Sequence, residues 1–370
     1  MKVLHLFNEI NFSGAEIMYA NAASLFQSKG IQMVAFSTGK NYGSFVSEFE
    51  KNNIKTYHKP IGTTKIISPS SILYYFRFYK FLKREKISVL HIHRNDLYMV
   101  ALCSKIAGVR TIKTMHNVFK NRRATYIFGY LQRTIARNFL KVVSQSIGKS
   151  VYENELFYYK NPTILINNWY DFRRFYKAKD DYERKLGRNK LKIKEGAFVI
   201  ISIGNCTEIK NHSDIIRALS IVNKKFDCIY LHLGTGACEV SERKIAIEMG
   251  LEENIRFLGN QVNVRDYLIA SDIYIMPSKF EGLSISCIEA MACGLPSILY
   301  NSPGLRDMIT NNDNGFLIES DYNLLADKII QFQQNPGLIK EKGNNANKHV
   351  LLHYFLTKNV DEIIKLYHNA

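Results

Sequence analysis

Between Ser271 and Tyr300 the chain spells out a complete strand, loop, helix, strand unit. Ser271-Asp-Ile-Tyr-Ile-Met-Pro277 has the apolar, β-favouring character of a short buried strand, and Ser297-Ile-Leu-Tyr300 reads as the next one. Between them Ser284 is placed to cap a helix, Ile285 to Cys293 are compatible with helix, and Gly294 followed by Pro296 stops it. In a parallel sheet such a loop lies at the carboxyl end of the strands, where ligands bind. The helix there turns free backbone N–H groups and a positive dipole end toward an anion. Glu281 and Glu289 flank this phosphate seat. Neither should face a phosphate, because like charges repel, so both should accept hydrogen bonds from hydroxyls. Glu289 lies about 6–8 Å further along the helix axis than its first residue, so the two acids grip different parts of one ligand. A sugar nucleotide fits, with its diphosphate at the helix start, sugar hydroxyls at one glutamate and ribose hydroxyls at the other. An ordinary capped helix with one surface glutamate has the same local pattern, so the rest of the chain decides.

The alternation of strands and helices continues throughout. Lys2 to Phe7, Gln32 to Ser37, Ser88 to His93, Thr111 to Asn117 and Val142 to Ser146 read as strands of a first half. Phe198 to Gly204, Tyr230 to Gly236 and Ile255 to Gly259 are strand-to-glycine turns of a second. Such alternation implies a parallel, doubly wound α/β sheet, and 370 residues suggest two domains. His116 falls at a strand's carboxyl end, where a binding or catalytic group belongs. Gly14, in the turn Asn11-Phe-Ser-Gly-Ala-Glu16, lets a ligand approach the backbone closely. His91 and His93 share one face of their strand, where packing is the expected role. The tail from Asn344 reads as helical.

Glu281 and Glu289, separated by seven residues within Phe-Glu-Gly-Leu-Ser and Glu-Ala-Met-Ala-Cys-Gly-Leu-Pro, make the chain resemble the retaining glycosyltransferases of family 4. That resemblance implies the GT-B fold, two Rossmann-like domains facing a central cleft. An acceptor domain would span 1–167 and a nucleotide-sugar donor domain 168–349, with the helix 350–370 packing back on the first. It implies that Lys210 and the amides of Gly282, Leu283 and Ser284 hold the donor diphosphate beside the Gly14 loop. Glu289 would bind the ribose, Glu281 would orient the sugar, and His116 would position sugar and leaving group; His116 and Glu281 are the catalytic candidates. It also implies retention without a divalent metal, and no Asp-x-Asp occurs in the chain. Three positions depart from the family pattern. Asn205 replaces an arginine on the diphosphate, Ser13 a second loop glycine, and Trp169 the glycine of a pattern otherwise kept as Asn168, Asp171 and Phe175. Losing a bidentate guanidinium should weaken phosphate binding or move it to another cation.

The formal charge of +17 is unevenly placed: 17 Lys and Arg stand against two acids between Ile61 and Ser150. That concentration calls for an anionic partner. Ser68 to Lys86 mixes aromatic and basic residues as an interfacial helix does, and Phe119 to Arg123 and Arg133 to Lys141 add to it, so 65–141 is expected to dock on an anionic membrane surface. A core helix with solvated cations on its outer face is the alternative. No zinc finger, helix-turn-helix signature or RNP-type strand supports nucleic acid as the partner. The amino terminus turns polar too soon for a signal peptide, and no apolar run approaches bilayer length, so the expected location is the cytoplasm, at the inner face of the cell membrane. The six cysteines show no Cys-x-x-Cys pair and no metal-ligand grouping with His, and are expected to be reduced, mostly buried thiols without a structural zinc. No cofactor is expected beyond the nucleotide-sugar co-substrate, with a lipid-linked or oligosaccharide acceptor. A sugar-nucleotide epimerase or hydrolase of the same fold remains an alternative, as does a degenerate nucleotide-binding partner subunit suggested by Asn205, Ser13 and Trp169.

Overall fold

The computed structural model describes residues 1–61, 68–94, 98–118 and 123–369. The chain forms two compact units, 1–171 with 356–370, and 172–355. In the first unit the elements follow as β1 (Lys2–Phe7), α1 (Gly14–Ser28), β2 (Gln32–Ser37), α2 (Val46–Lys51), β3 (Lys55–His58), α3 (Pro69–Arg84), β4 (Val89–Ile92), α4 (Tyr98–Ile106), β5 (Arg110–Met115), α5 (Arg123–Thr134), β6 (Val142–Ser146), α6 (Lys149–Tyr159) and β7 (Ile164–Leu165). A π-helical turn, Ile135–Phe139, closes α5. The second unit contains α7 (Asp181–Lys190), β8 (Phe198–Ile203), α8 (Ser213–Val222), β9 (Cys228–Leu233), α9 (Glu239–Glu248), β10 (Ile255–Gly259), α10 (Val264–Ala270), β11 (Ile273–Met276), α11 (Ile285–Ala292), β12 (Ser297–Tyr300), β13 (Gly315–Ile318), α12 (Tyr322–Gln334) and α13 (Pro336–His353). The last helix, α14 (Leu356–Asn369), belongs to the first unit.

All strand pairs are parallel, in the orders β3-β2-β1-β4-β5-β6-β7 and β10-β9-β8-β11-β12-β13. Near-continuous Val, Ile and Leu in β1, β4, β8 and β11 follow from helices covering both faces of each sheet. In each sheet the strand order reverses once, between β1 and β4 and between β8 and β11. Loops leaving neighbouring strands at such a switch point diverge and open a crevice at their carboxyl ends.

The units meet in sequence slightly later than the expected 167/168 and 349/350. Trp169 is buried in the first unit, donates from Nε1 to Met18 O at 3.2 Å, and meets the Tyr19 ring edge-on at 5.2 Å. Asn359 on α14 donates to Asn168 O at 2.9 Å. The bulky indole at the position of the family's glycine is therefore a core anchor for α1. The helical tail is two helices broken at Tyr354, and only the second, α14, belongs to this unit.

The basic segment is partly structural. Lys65 and the run from Phe119 to Arg122 lie outside the described residues. Arg133, expected among the membrane-facing cations, instead donates from Nε and Nη2 to both carboxylate oxygens of the fully buried Glu155, at 2.6 and 2.7 Å. Its guanidinium also lies 3.6 Å over the Tyr159 ring, and Asn161 donates to Glu155 at 2.8 Å.

Candidate functional site

The candidate site is built at the β8/β11 switch point. β8 runs into the 204–212 loop and β11 into the 277–284 loop, and two bonds join these loops directly. Lys279 N donates to Ile209 O at 2.8 Å, and Lys210 Nζ meets Glu281 Oε1 at 2.6 Å. The ion pair is mostly buried, with 22% and 14% of the two side chains exposed, so neither charge is well screened by water.

Backbone packing holds Glu281 in place. Its amide donates to Pro303 O at 2.9 Å, and Ser302 Oγ donates to Ser278 O at 2.8 Å. Gly304 has φ +82°, and a Cβ there would stand 2.4 Å from Glu281 O, so only glycine lets the two loops close on each other. A similar requirement shapes the floor. Gly234, at φ +141°, would press a Cβ to 1.9 Å from Gly204 O, so the end of β9 seals against the loop leaving β8.

Ser284 begins α11 as expected, its hydroxyl accepting from Cys287 N at 3.3 Å. Ser286 Oγ donates to Ile203 O at 3.1 Å and fixes the helix start against the end of β8. The amides opening α11 have no intrahelical acceptor, and the positive end of the dipole lies in the same place. Gly282, Leu283 and Ser284 are buried there; Glu289 is half-buried one turn into the helix. Asn205 is exposed at the mouth of the 204–212 loop. Asn205, Lys210, Glu281, Gly282, Leu283, Ser284 and Glu289 thus share one sheet end in one unit. Lys210, expected at the phosphate, and Glu281, expected at the sugar, are paired with each other.

Gly14 and His116 lie in the first unit, at the carboxyl ends of β1 and β5. Ser13, which replaces the second glycine, donates its hydroxyl to the buried Glu16 carboxylate and stiffens the start of α1. Burial raises the pKa of Glu16. His116 Nε2 lies 3.2 Å from His93 Nδ1, and His93 Nε2 lies 3.0 Å from His5 Nδ1. His5 is a member of this row that the strand reading of Lys2 to Phe7 did not single out. Burial lowers every histidine of the row, His116 to about 4, so His116 is a neutral imidazole near pH 7. His91 is a packing residue, bonded to Tyr367 OH at 2.8 Å and to Thr114 Oγ1 at 2.6 Å.

One expectation about the cysteines is corrected by the fold. Cys206, expected to have no metal-ligand grouping with His, is brought together with His212, His232 and Glu242, all four buried. These residues come from a loop, a helix cap, a strand and a second helix, so no local spacing announces them.

Residues 183–349 match the family model for glycosyl transferases group 1. The chain is 23% identical over 337 residues to the UDP-Gal:alpha-D-GlcNAc-diphosphoundecaprenol alpha-1,3-galactosyltransferase of Escherichia coli, covering 87% of this chain and 86% of that one. It is 28% identical over 301 residues to the capsular polysaccharide biosynthesis glycosyltransferase CapH of Staphylococcus aureus, covering 78% of each. Among solved structures, Anabaena Alr3699/HepE in complex with UDP superposes with a TM-score of 0.86 at 17% identity, covering 100% of both chains. Among the described residues no helix is long and apolar enough to cross a membrane.

Proposed function

We propose that this chain, a glycosyltransferase of GT-B architecture whose residues 183–349 match the family model for glycosyl transferases group 1, moves a sugar from a nucleotide-diphosphate sugar to a lipid-linked glycan acceptor in cell-surface polysaccharide biosynthesis, with retention of configuration. A UDP-sugar is the favoured donor and a GDP-sugar the next. The observation that carries this reading is the Lys210–Glu281 pair at the start of α11. It combines a cation and a helix dipole for the diphosphate with a carboxylate for the sugar. The relatives named for diphosphoundecaprenol and capsular polysaccharide, and the UDP complex of the Anabaena protein, support the donor and acceptor classes.

In the transition state positive charge develops at the sugar carbon and negative charge on the departing diphosphate, so fixed positive ends at the diphosphate lower the barrier. On binding, the diphosphate draws Lys210 from Glu281 and lies against the α11 amides. The released Glu281 carboxylate accepts hydrogen bonds from sugar hydroxyls. Glu289 binds the ribose; in the first unit, Gly14 leaves its loop without a side chain and His116 stands neutral at the end of β5. Lys210 and the helix start supply the positive charge the diphosphate needs, so turnover is expected without added magnesium or manganese. Glu289→Ala is expected to raise the donor KM about tenfold or more with kcat little changed, the loss of a charge-assisted hydrogen bond. His116→Ala and Glu281→Ala are expected to lower kcat about 10²-fold, as loss of a positioned polar group does. Steady-state kinetics with varied donor separate the two patterns, and wild-type kinetics in all three variants contradict these roles.

Membrane docking rests on the first unit's surface. Ile72 and Phe76 on α3, Ile127 and Phe128 on α5, and Phe139 on the π-helical turn are all more than half exposed, up to 72% for Phe139. Cations stand among them: Lys80 lies 4.6 Å over the Phe76 ring and Lys105 lies 5.5 Å over Phe139. In liposome flotation the protein is expected to rise with vesicles containing anionic lipid and to stay down with neutral ones. Binding that ignores lipid charge contradicts this docking mode.

A further inference from the structure

Beside the donor loop, in the second unit, four buried side chains of metal-ligand type converge. Cys206 and His232 are fully buried, and His212 and Glu242 are 2% and 3% exposed. Their ligand atoms all lie within 4.8 Å of one another. Cys206 Sγ is 3.1 Å from His232 Nε2, His212 Nδ1 is 3.3 Å from Glu242 Oε1, and His232 Nε2 is 3.5 Å from Glu242 Oε2. A tetrahedron with metal–nitrogen and metal–oxygen bonds near 2.0–2.1 Å and a metal–sulfur bond near 2.3 Å has edges of about 3.3–3.6 Å.

Two of these atoms, His212 Nδ1 and Glu242 Oε2, are buried without any hydrogen-bond partner. Unpaired polar atoms in an apolar interior cost several kcal/mol, so their persistence needs a counterpart. The surroundings of His232 fit one. Its Nδ1 is engaged by Tyr230 OH at 2.9 Å, which is itself bonded to Ser202, leaving Nε2 to face the other three ligands. A second partner that fixes the ring in this way is the usual companion of a metal-bound histidine.

We propose that Cys206, His212, His232 and Glu242 form a structural zinc site. Zn²⁺ suits a tetrahedral set of one sulfur, two imidazole nitrogens and one carboxylate oxygen, and a hard octahedral cation such as magnesium does not. The charges also close, because a divalent cation balances one thiolate and one carboxylate. Four ligands fill the coordination sphere, so the zinc braces the fold and takes no substrate. Cys206 and His212 flank Lys210 in the 204–212 loop, so the metal clamps both ends of the segment that carries that lysine.

The test reads metal and not glycosyl transfer, so it is independent of the proposed activity. Untagged protein, purified without chelator from zinc-containing medium, is expected to carry about one zinc per chain by mass-spectrometric metal analysis. Cobalt reconstitution is expected to give the visible bands of tetrahedral Co²⁺ with a thiolate-to-cobalt charge-transfer band. That band separates this site from the cluster of His5, His91 and His93, which contains no sulfur. Glu242→Gln and Cys206→Ala are expected to lose the zinc. Should either variant fail to fold, X-ray absorption of the wild type decides, with one sulfur and three nitrogen or oxygen neighbours expected. Folded wild-type protein without bound metal, a zinc shell without sulfur, or zinc retained in the folded double variant overturns the proposal.

Discussion

Lys210→Ala is expected to lower turnover by about 10²–10³-fold, the effect of removing one fixed positive group from a developing anion. The loss has two sources in the geometry. The departing diphosphate loses its cation, leaving the α11 amides to stabilise it alone. Glu281, which held Lys210 at 2.6 Å in a mostly buried position, is left as a lone carboxylate beside the phosphate seat and repels the anion that must enter. Glu281→Gln has the opposite effect on binding. It frees Lys210 without leaving a negative charge, so a nucleoside diphosphate binds at least as tightly as to wild type while turnover still falls. A catalytic carboxylate whose neutralisation helps product-like ligands and harms the reaction is a pattern that a purely structural ion pair does not produce. Donor kinetics and nucleotide affinity, measured on the same preparations, check both halves.

Glu155→Ala is expected to destabilise the first unit by about 3–5 kcal/mol, measured by chemical denaturation. The substitution leaves the Arg133 guanidinium, held over Tyr159, with its buried bidentate acceptor gone, and deprives Asn161 of the same carboxylate. Replacing Glu155 by glutamine keeps the shape but not the charge and should recover only part of the loss. A change below about 1 kcal/mol for Glu155→Ala, the size of an exposed pair, contradicts the assignment of Arg133 to the interior.

Those two residues show what a sequence carries and what it leaves out. Lys2–Phe7, Gln32–Ser37, Val142–Ser146, Ile255–Gly259 and Ser297–Tyr300 are strands over the residues expected; the interior ones among them are largely apolar because helices cover both faces of the sheet, and Ile255–Gly259, at a sheet edge, was marked by its closing glycine. The α11 unit was legible for a related reason: a serine cap, an apolar helix and a glycine stop are all local signals. Both edge strands of the first sheet escaped notice. Lys55–His58 pairs on one side only and carries polar residues, and Ile164–Leu165 is two residues long. Arg133 was misread because its partner lies 22 residues away on another helix, where charge counting along the chain has no view. The Cys206 cluster was hidden more deeply, since its four ligands become neighbours only once β8, β9, α8 and α9 are packed. In the donor site the residue types were legible, but the pairing of Lys210 with Glu281 was not, because each had been matched to a ligand group and not to the other.

The most direct measurement is calorimetric titration of UDP, GDP, ADP and dTDP into wild type, Lys210→Ala and Glu281→Gln, without added divalent metal. Wild type is expected to bind one of these nucleotides, UDP first. Lys210→Ala is expected to lose that binding, and Glu281→Gln to keep or strengthen it. Absence of binding by every nucleotide, or a Lys210→Ala variant that binds as wild type does, would contradict the placement of the donor diphosphate at Lys210 and the start of α11.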